Sequence, residues 1–245
     1  MRKQTSVIPS DTGLMDAVDA GRMPGEVEEN MNISWIVRLV TSSVGRKFFM
    51  AVSGLALIGF VAMHLAGNLL LLKGEADYNH YSELLLGNPL IRPAEIALAC
   101  IFLVHIICGI WVRIEDWRAR PVGYVKRKWE GGRTVGSATM LYTGILMLFF
   151  LGYHAVTFRF GDQSKGMYMM VFLAFRNPVY VCIYVLTALA LLVKFSHGFQ
   201  SAFQTMGFNH PKYTPWIKLA GWLLALAMIG FAAIPLWFLI KGGAI

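Results

Sequence analysis

The sequence predicts an all-α membrane protein with five transmembrane helices. Three observations carry this: the apolar fraction is 56% and the charged fraction 15% over 245 residues; mean hydropathy is +0.55; and the apolar residues gather into five long runs. A helix needs about 20 apolar residues to cross the hydrocarbon, because lipid offers no partner for an unsatisfied backbone group.

The runs fall at about 48–72, 93–112, 135–158, 178–203 and 217–240. Residues 1–32 form a polar N-terminal extension that opens Met-Arg-Lys but turns acidic, so no signal-peptide core follows. Residues 33–47 read as an amphipathic lead-in on the inner surface, and 48–245 as the membrane domain. The run 167–175 is too short to span and is expected at the outer interface or as a shallow re-entrant segment.

Charge orients the helices. With the N-terminus inside, sixteen of the lysines and arginines fall on the inner side and six on the outer, which predicts a cytoplasmic N-terminus and an external C-terminus. The net charge of +8 does not point to nucleic acid, since the basic residues flank the apolar runs. Cys100, Cys108 and Cys182 lie inside apolar stretches without CxxC spacing, so neither a disulfide framework nor a zinc site is expected.

Of six histidines, His64, His105, His154 and His197 fall one on each of the first four helices, while His80 and His210 fall between helices. Ionisable groups at membrane depth are costly and mark a function. His64 lies 17 residues beyond Lys47, roughly 25 Å along the helix, and His154 lies five residues before Arg159; both stand toward the outer face. His105, eight residues before Arg113, and His197, three beyond Lys194, stand toward the inner face.

Two imidazoles at one depth on alternate helices suit the axial positions of one haem iron, so two pairs imply two b haems stacked along the membrane normal. The first four helices would form the bundle around them, with the fifth at its periphery. SGLALIGFVAMH and TGILMLFFLGYH share Ser/Thr-Gly, nine residues, His. Gly54 and Gly144 therefore precede the outer pair by ten residues, roughly 15 Å, and leave clearance near the inner haem. Candidate propionate partners are Lys194, Arg46, Lys47 or Ser53 for the inner haem and Arg159 for the outer.

SSVGRKFFMAVSGLALIGFVAMHLAGN, FLVHIICG, TGILMLFFLGYH and FSHGFQSAFQTMG together resemble the single-chain, di-haem cytochrome b membrane anchors of complex II, the succinate dehydrogenases and fumarate reductases. The resemblance extends over roughly residues 40–240. It implies that His64 and His154 hold the distal haem and His105 and His197 the proximal one, the pairing that depth gives independently. It further implies a flavoprotein subunit and an iron-sulfur subunit as partners, menaquinone or another quinone as substrate, a bacterial inner membrane as location, and scope for a higher oligomer.

Some relatives carry an acidic residue two positions before the fourth-helix histidine; this chain has Phe195, so a proton path there is not expected. In the outer loop YNHYSELLLGNP, His80, Tyr81 and Glu83 are candidates for the quinone headgroup, with Glu83 first for proton exchange. The basic stretch from Arg113 to Arg133 is a candidate docking surface for the iron-sulfur subunit, or for anionic lipid. Two other readings stand beside this one: the cytochrome b subunit of a hydrogenase or formate dehydrogenase, and a transporter with intramembrane histidines. The transporter reading is disfavoured because no Asp or Glu lies inside the five apolar cores.

Overall fold

A computed structural model describes residues 35, 37–39, 41–119 and 134–242, and among these every regular element is helical. The acidic extension and most of the basic segment between the second and third spans lie outside the described residues. The chain divides into two compact units, Met1–Arg46 and Lys47–Ile245. In the first, the described residues from Trp35 to Thr41 are helical and Trp35, Val37 and Leu39 are exposed.

The first span, α1 (Ser43–Asn68), begins where the Ser42 hydroxyl accepts from the Gly45 amide at 2.9 Å, satisfying one orphan donor of the first turn. It tightens into a 3₁₀ turn at Leu69–Leu72 and ends at Gly74, whose φ of +131° favours glycine. The second span, α3, is Ile91–Ala119. The third, α4 (Val135–His154), opens on a reciprocal capping box between Thr134 and Ser137 and continues as a π-helical segment, Ala155–Arg159. The fourth, α6 (Pro178–Thr205), has Asn177 as its cap and Pro178 in its first turn.

Two short helices lie between spans: α2 (Glu75–Gly87) and α5 (Met167–Phe175). The first was expected as a loop. It folds because Tyr78 and Ser82, one turn apart, are buried on one side, while Glu75 and Asp77 complement the positive end of its dipole. In α5, Val171 and Phe175 are buried, and Asn79 of α2 caps its start by accepting from the Tyr168 amide at 2.9 Å.

The fifth span, expected at the periphery of the bundle, packs mainly along the fourth span, with one face buried and the other exposed. It forms two helices, α7 (Thr214–Ala227) and α8 (Ile229–Gly242), joined at Met228 through i→i+3 bonds from Met228 to Ala225 and from Phe231 to Met228. Ala225, Met228 and Phe238 have no solvent exposure. Phe238 is surrounded by Tyr168, Phe172, Phe175 and Trp237 at ring separations of 5.1–6.4 Å.

Lipid does not drive apolar helices together, so close approach at small residues does the work. A Cβ on Gly230 would stand 3.0 Å from Leu65 Cδ1, which sets the fifth span directly against the first. By contrast, no residue of α3 is buried; polar side chains tie it to its neighbours.

Candidate functional site

His64 and His154 face each other between the first and third spans, with ring centres 5.7 Å apart and planes at 90°. Phe60 and Phe231 lie against His64 at 5.5 and 5.9 Å, and Phe150 and Phe158 against His154 at 5.6 and 5.5 Å. The pair is thus a polar couple inside an aromatic box. Phe231, from the fifth span, completes the box on the His64 side.

Each ring has one nitrogen engaged by the protein. His154 Nδ1 meets the Tyr184 hydroxyl at 3.0 Å. The Asn68 amide donates to the His64 carbonyl at 2.8 Å and lies 3.4 Å from His64 Nε2. Asn68 Oδ1 in turn accepts from Tyr78 Oη at 3.4 Å. Burial, then the neighbouring Tyr81, pushes the Tyr78 phenol up to about 12, so Tyr78 stays protonated and remains a donor at neutral pH.

The inner histidines have a comparable arrangement on different helices. His105 Nδ1 lies 3.2 Å from both the Met50 carbonyl and Ser53 Oγ of the first span. Ser53 spends its one hydrogen on the Phe49 carbonyl at 2.6 Å, so it presents a lone pair to the ring. The Met50 carbonyl also accepts, so His105 carries its hydrogen on Nδ1 and its lone pair on Nε2. His197 Nδ1 lies 3.1 Å from Thr134 Oγ1, the cap of the third span.

The two candidate glycines lie beside this inner pair. A Cβ on Gly54 would come within 3.1 Å of His105 Cε1, and one on Gly144 within 3.6 Å of Lys194 Nζ. Gly136, which the sequence reading overlooked, is tighter: a Cβ there would stand 2.6 Å from His197 Cβ. Lys194 is partly buried and, among the described residues, its one hydrogen-bond partner is Met140 Sδ at 3.3 Å. A thioether is a weak acceptor for an ammonium with three hydrogens.

Arg159 is engaged elsewhere. Its guanidinium makes a two-point ion pair with Glu95, at 2.7 and 3.2 Å, fastening the third span to the second, and Arg92 adds a longer contact at 3.4 Å. It is therefore a clamp between spans in this structure, and the expectation that it waits for a propionate is set aside. Phe195 is buried in the core and offers no proton path.

The three outer-loop candidates separate. Tyr81 turns inward, its ring against Gly67 near the His64 turn. His80 and Glu83 are exposed and line an open cleft of about 580 Å³ with Leu84, Gly87, Asn88 and Pro89. Glu83 also borders a smaller crevice of about 130 Å³ between α2 and α5, lined by Asn79, Ser82, Gln163 and Gly166. Glu83 alone among the three touches both spaces.

Tyr184, Asn68 and Thr134 escaped the sequence reading because uncharged polar residues are common in membrane helices. Whether Tyr184 or Thr134 meets a histidine depends on helix rotation, whereas Asn68 stands one turn after His64 on its own helix.

Among the described residues no three His, Cys, Asp or Glu side chains cluster as a metal site. Two imidazoles on opposite sides of one metal ion have centres about 6 Å apart, given metal–nitrogen bonds of about 2 Å. The outer pair, at 5.7 Å, fits that donor set, and on His154 the Tyr184 hydroxyl at Nδ1 is a partner of the kind that fixes a ligand's tautomer. Comparison with curated proteins and with solved structures gives no significant match. Residues 45–129, which carry the first two spans with His64 and His105, match the family model of the succinate dehydrogenase/fumarate reductase transmembrane subunit. Over this stretch the chain is similar to those transmembrane subunits.

Proposed function

We propose that this chain is the cytochrome b anchor of a succinate:quinone or fumarate:quinone oxidoreductase, carrying electrons between a cytoplasmic iron-sulfur subunit and membrane quinone through two b haems. His64 and His154 hold the outer haem, His105 and His197 the inner one. The observation that carries this reading is the facing of His64 and His154 at 5.7 Å in an aromatic box within the spans.

When bound, a haem supplies a one-electron carrier whose potential the surrounding protein adjusts. The chain's own residues do the rest. Met50 and Ser53 orient His105, Thr134 orients His197, and Tyr184 orients His154. Asn68 stands at the nitrogen through which His64 would ligate, so it gives way on loading. Lys194, poorly satisfied by its thioether partner, is suited to a haem carboxylate, with Ser53 nearby. Gly54, Gly136 and Gly144 let the side chains of His105, His197 and Lys194 approach the first and third spans closely.

At the outer end, Glu83 exchanges protons with water, with His80 beside it and Tyr81 leading toward the His64 turn. The N-terminus is cytoplasmic in this reading. Purification of the tagged chain in mild detergent tests it. A flavoprotein and an iron-sulfur protein should accompany the chain and exchange electrons between succinate and a quinone analogue. Recovery with a hydrogenase or a formate dehydrogenase instead would overturn the assignment.

A further inference from the structure

Tyr184 is 9% exposed and its ring is held on three sides, by Phe150 and Phe175 at 4.9 Å and Phe158 at 6.0 Å, all edge-to-face. Its hydroxyl is fixed by that packing and has, among the described residues, one hydrogen-bond partner, His154 Nδ1 at 3.0 Å. The tyrosine comes from the fourth span and the histidine from the third, so the contact couples two helices at the outer pair.

The two members of that pair are not equivalent. Near His64 the polar neighbour is the Asn68 amide nitrogen, a donor, so among the described residues no side-chain acceptor is seen for a His64 ring hydrogen. His154 has one. If His154 binds iron through Nε2, its hydrogen sits on Nδ1 and the Tyr184 oxygen accepts it. Accepting that hydrogen bond makes the imidazole a more basic ligand and favours the oxidised over the reduced iron.

We infer that Tyr184 is a positioning residue for His154, lowering the reduction potential of the outer haem by accepting the Nδ1 hydrogen. The inference rests on the haem reading of His64 and His154 given above. Tyr180, one turn earlier, packs on Tyr153 at 5.2 Å and makes no bond to His154, so it serves as the control hydroxyl.

The test is a redox titration of the intact membrane-bound complex, following the two haem components of the absorbance spectrum. Tyr184→Phe should change the oxidised-to-reduced ratio of the outer component about tenfold, an upward shift of about 59 mV for one electron. The inner component, and both components in Tyr180→Phe, should stay at their wild-type values. Tyr184→Gln, whose amide oxygen still accepts, should lie near wild type. If Tyr184→Phe loses the outer haem while Tyr184→Gln keeps it, the acceptor role stands. Unchanged midpoints in Tyr184→Phe, or loss of the outer haem in both variants, would overturn the inference. A wild-type complex without two haem components would overturn instead the assignment on which it rests.

Discussion

At the residue scale, the four histidines differ in what replaces them. Substituting His105 or His197 with Ala should remove the inner haem and leave a measurable outer one, and substituting His64 or His154 should do the reverse. Haem-to-protein ratio and the split of the α-band report both losses. A crossed result, with His64 and His105 lost together, would break the pairing by depth. Those histidines were legible in the sequence because a charged or titratable group at that depth must be compensated. Their partners Tyr184 and Thr134 were not, since the ring nitrogen each meets is set by the rotation of one span against another; Asn68 lies one turn after His64 on the same helix. The Glu95–Arg159 pair is legible only as two end charges in sequence. With side chains 31% and 36% exposed, Glu95→Gln should destabilise by no more than about 1 kcal/mol in thermal unfolding and leave the haem content intact.

At the scale of elements, the five spans were readable from apolar length and the short run 167–175 from its brevity. Helix α2 was not, because its apolar and polar residues give a weak stripe that becomes a helix only when Tyr78 and Ser82 find the outer ends of the bundle. The buried face of the fifth span was not legible, because that span has no histidine and its burial follows packing alone. Phe238 tests that packing. Phe238→Ala should cost about 3 kcal/mol, mostly lost contacts rather than transfer from water. That loss would appear as a lower unfolding temperature in detergent. A variant as stable as wild type would show that the Phe238 contacts do not hold the fifth span.

At the scale of the whole molecule, the proposed orientation rests on the charge bias, and the inner and outer labels of the histidines rest on that orientation. In a background lacking Cys100, Cys108 and Cys182, a cysteine at Glu83 should react with an impermeant thiol reagent on intact cells. One at Lys212 should react only after permeabilisation. The reverse pattern would exchange the inner and outer haem assignments and move the quinone-linked Glu83 to the cytoplasmic face.

The claim on which these scales converge is that imidazoles from alternate spans grip two haems in one chain. A reduced-minus-oxidised optical spectrum of the purified complex, combined with chemical haem and protein determination, measures it directly. The account predicts two low-spin b-type haems per chain. A colourless preparation, or a single haem that survives substitution of all four intramembrane histidines, would contradict it.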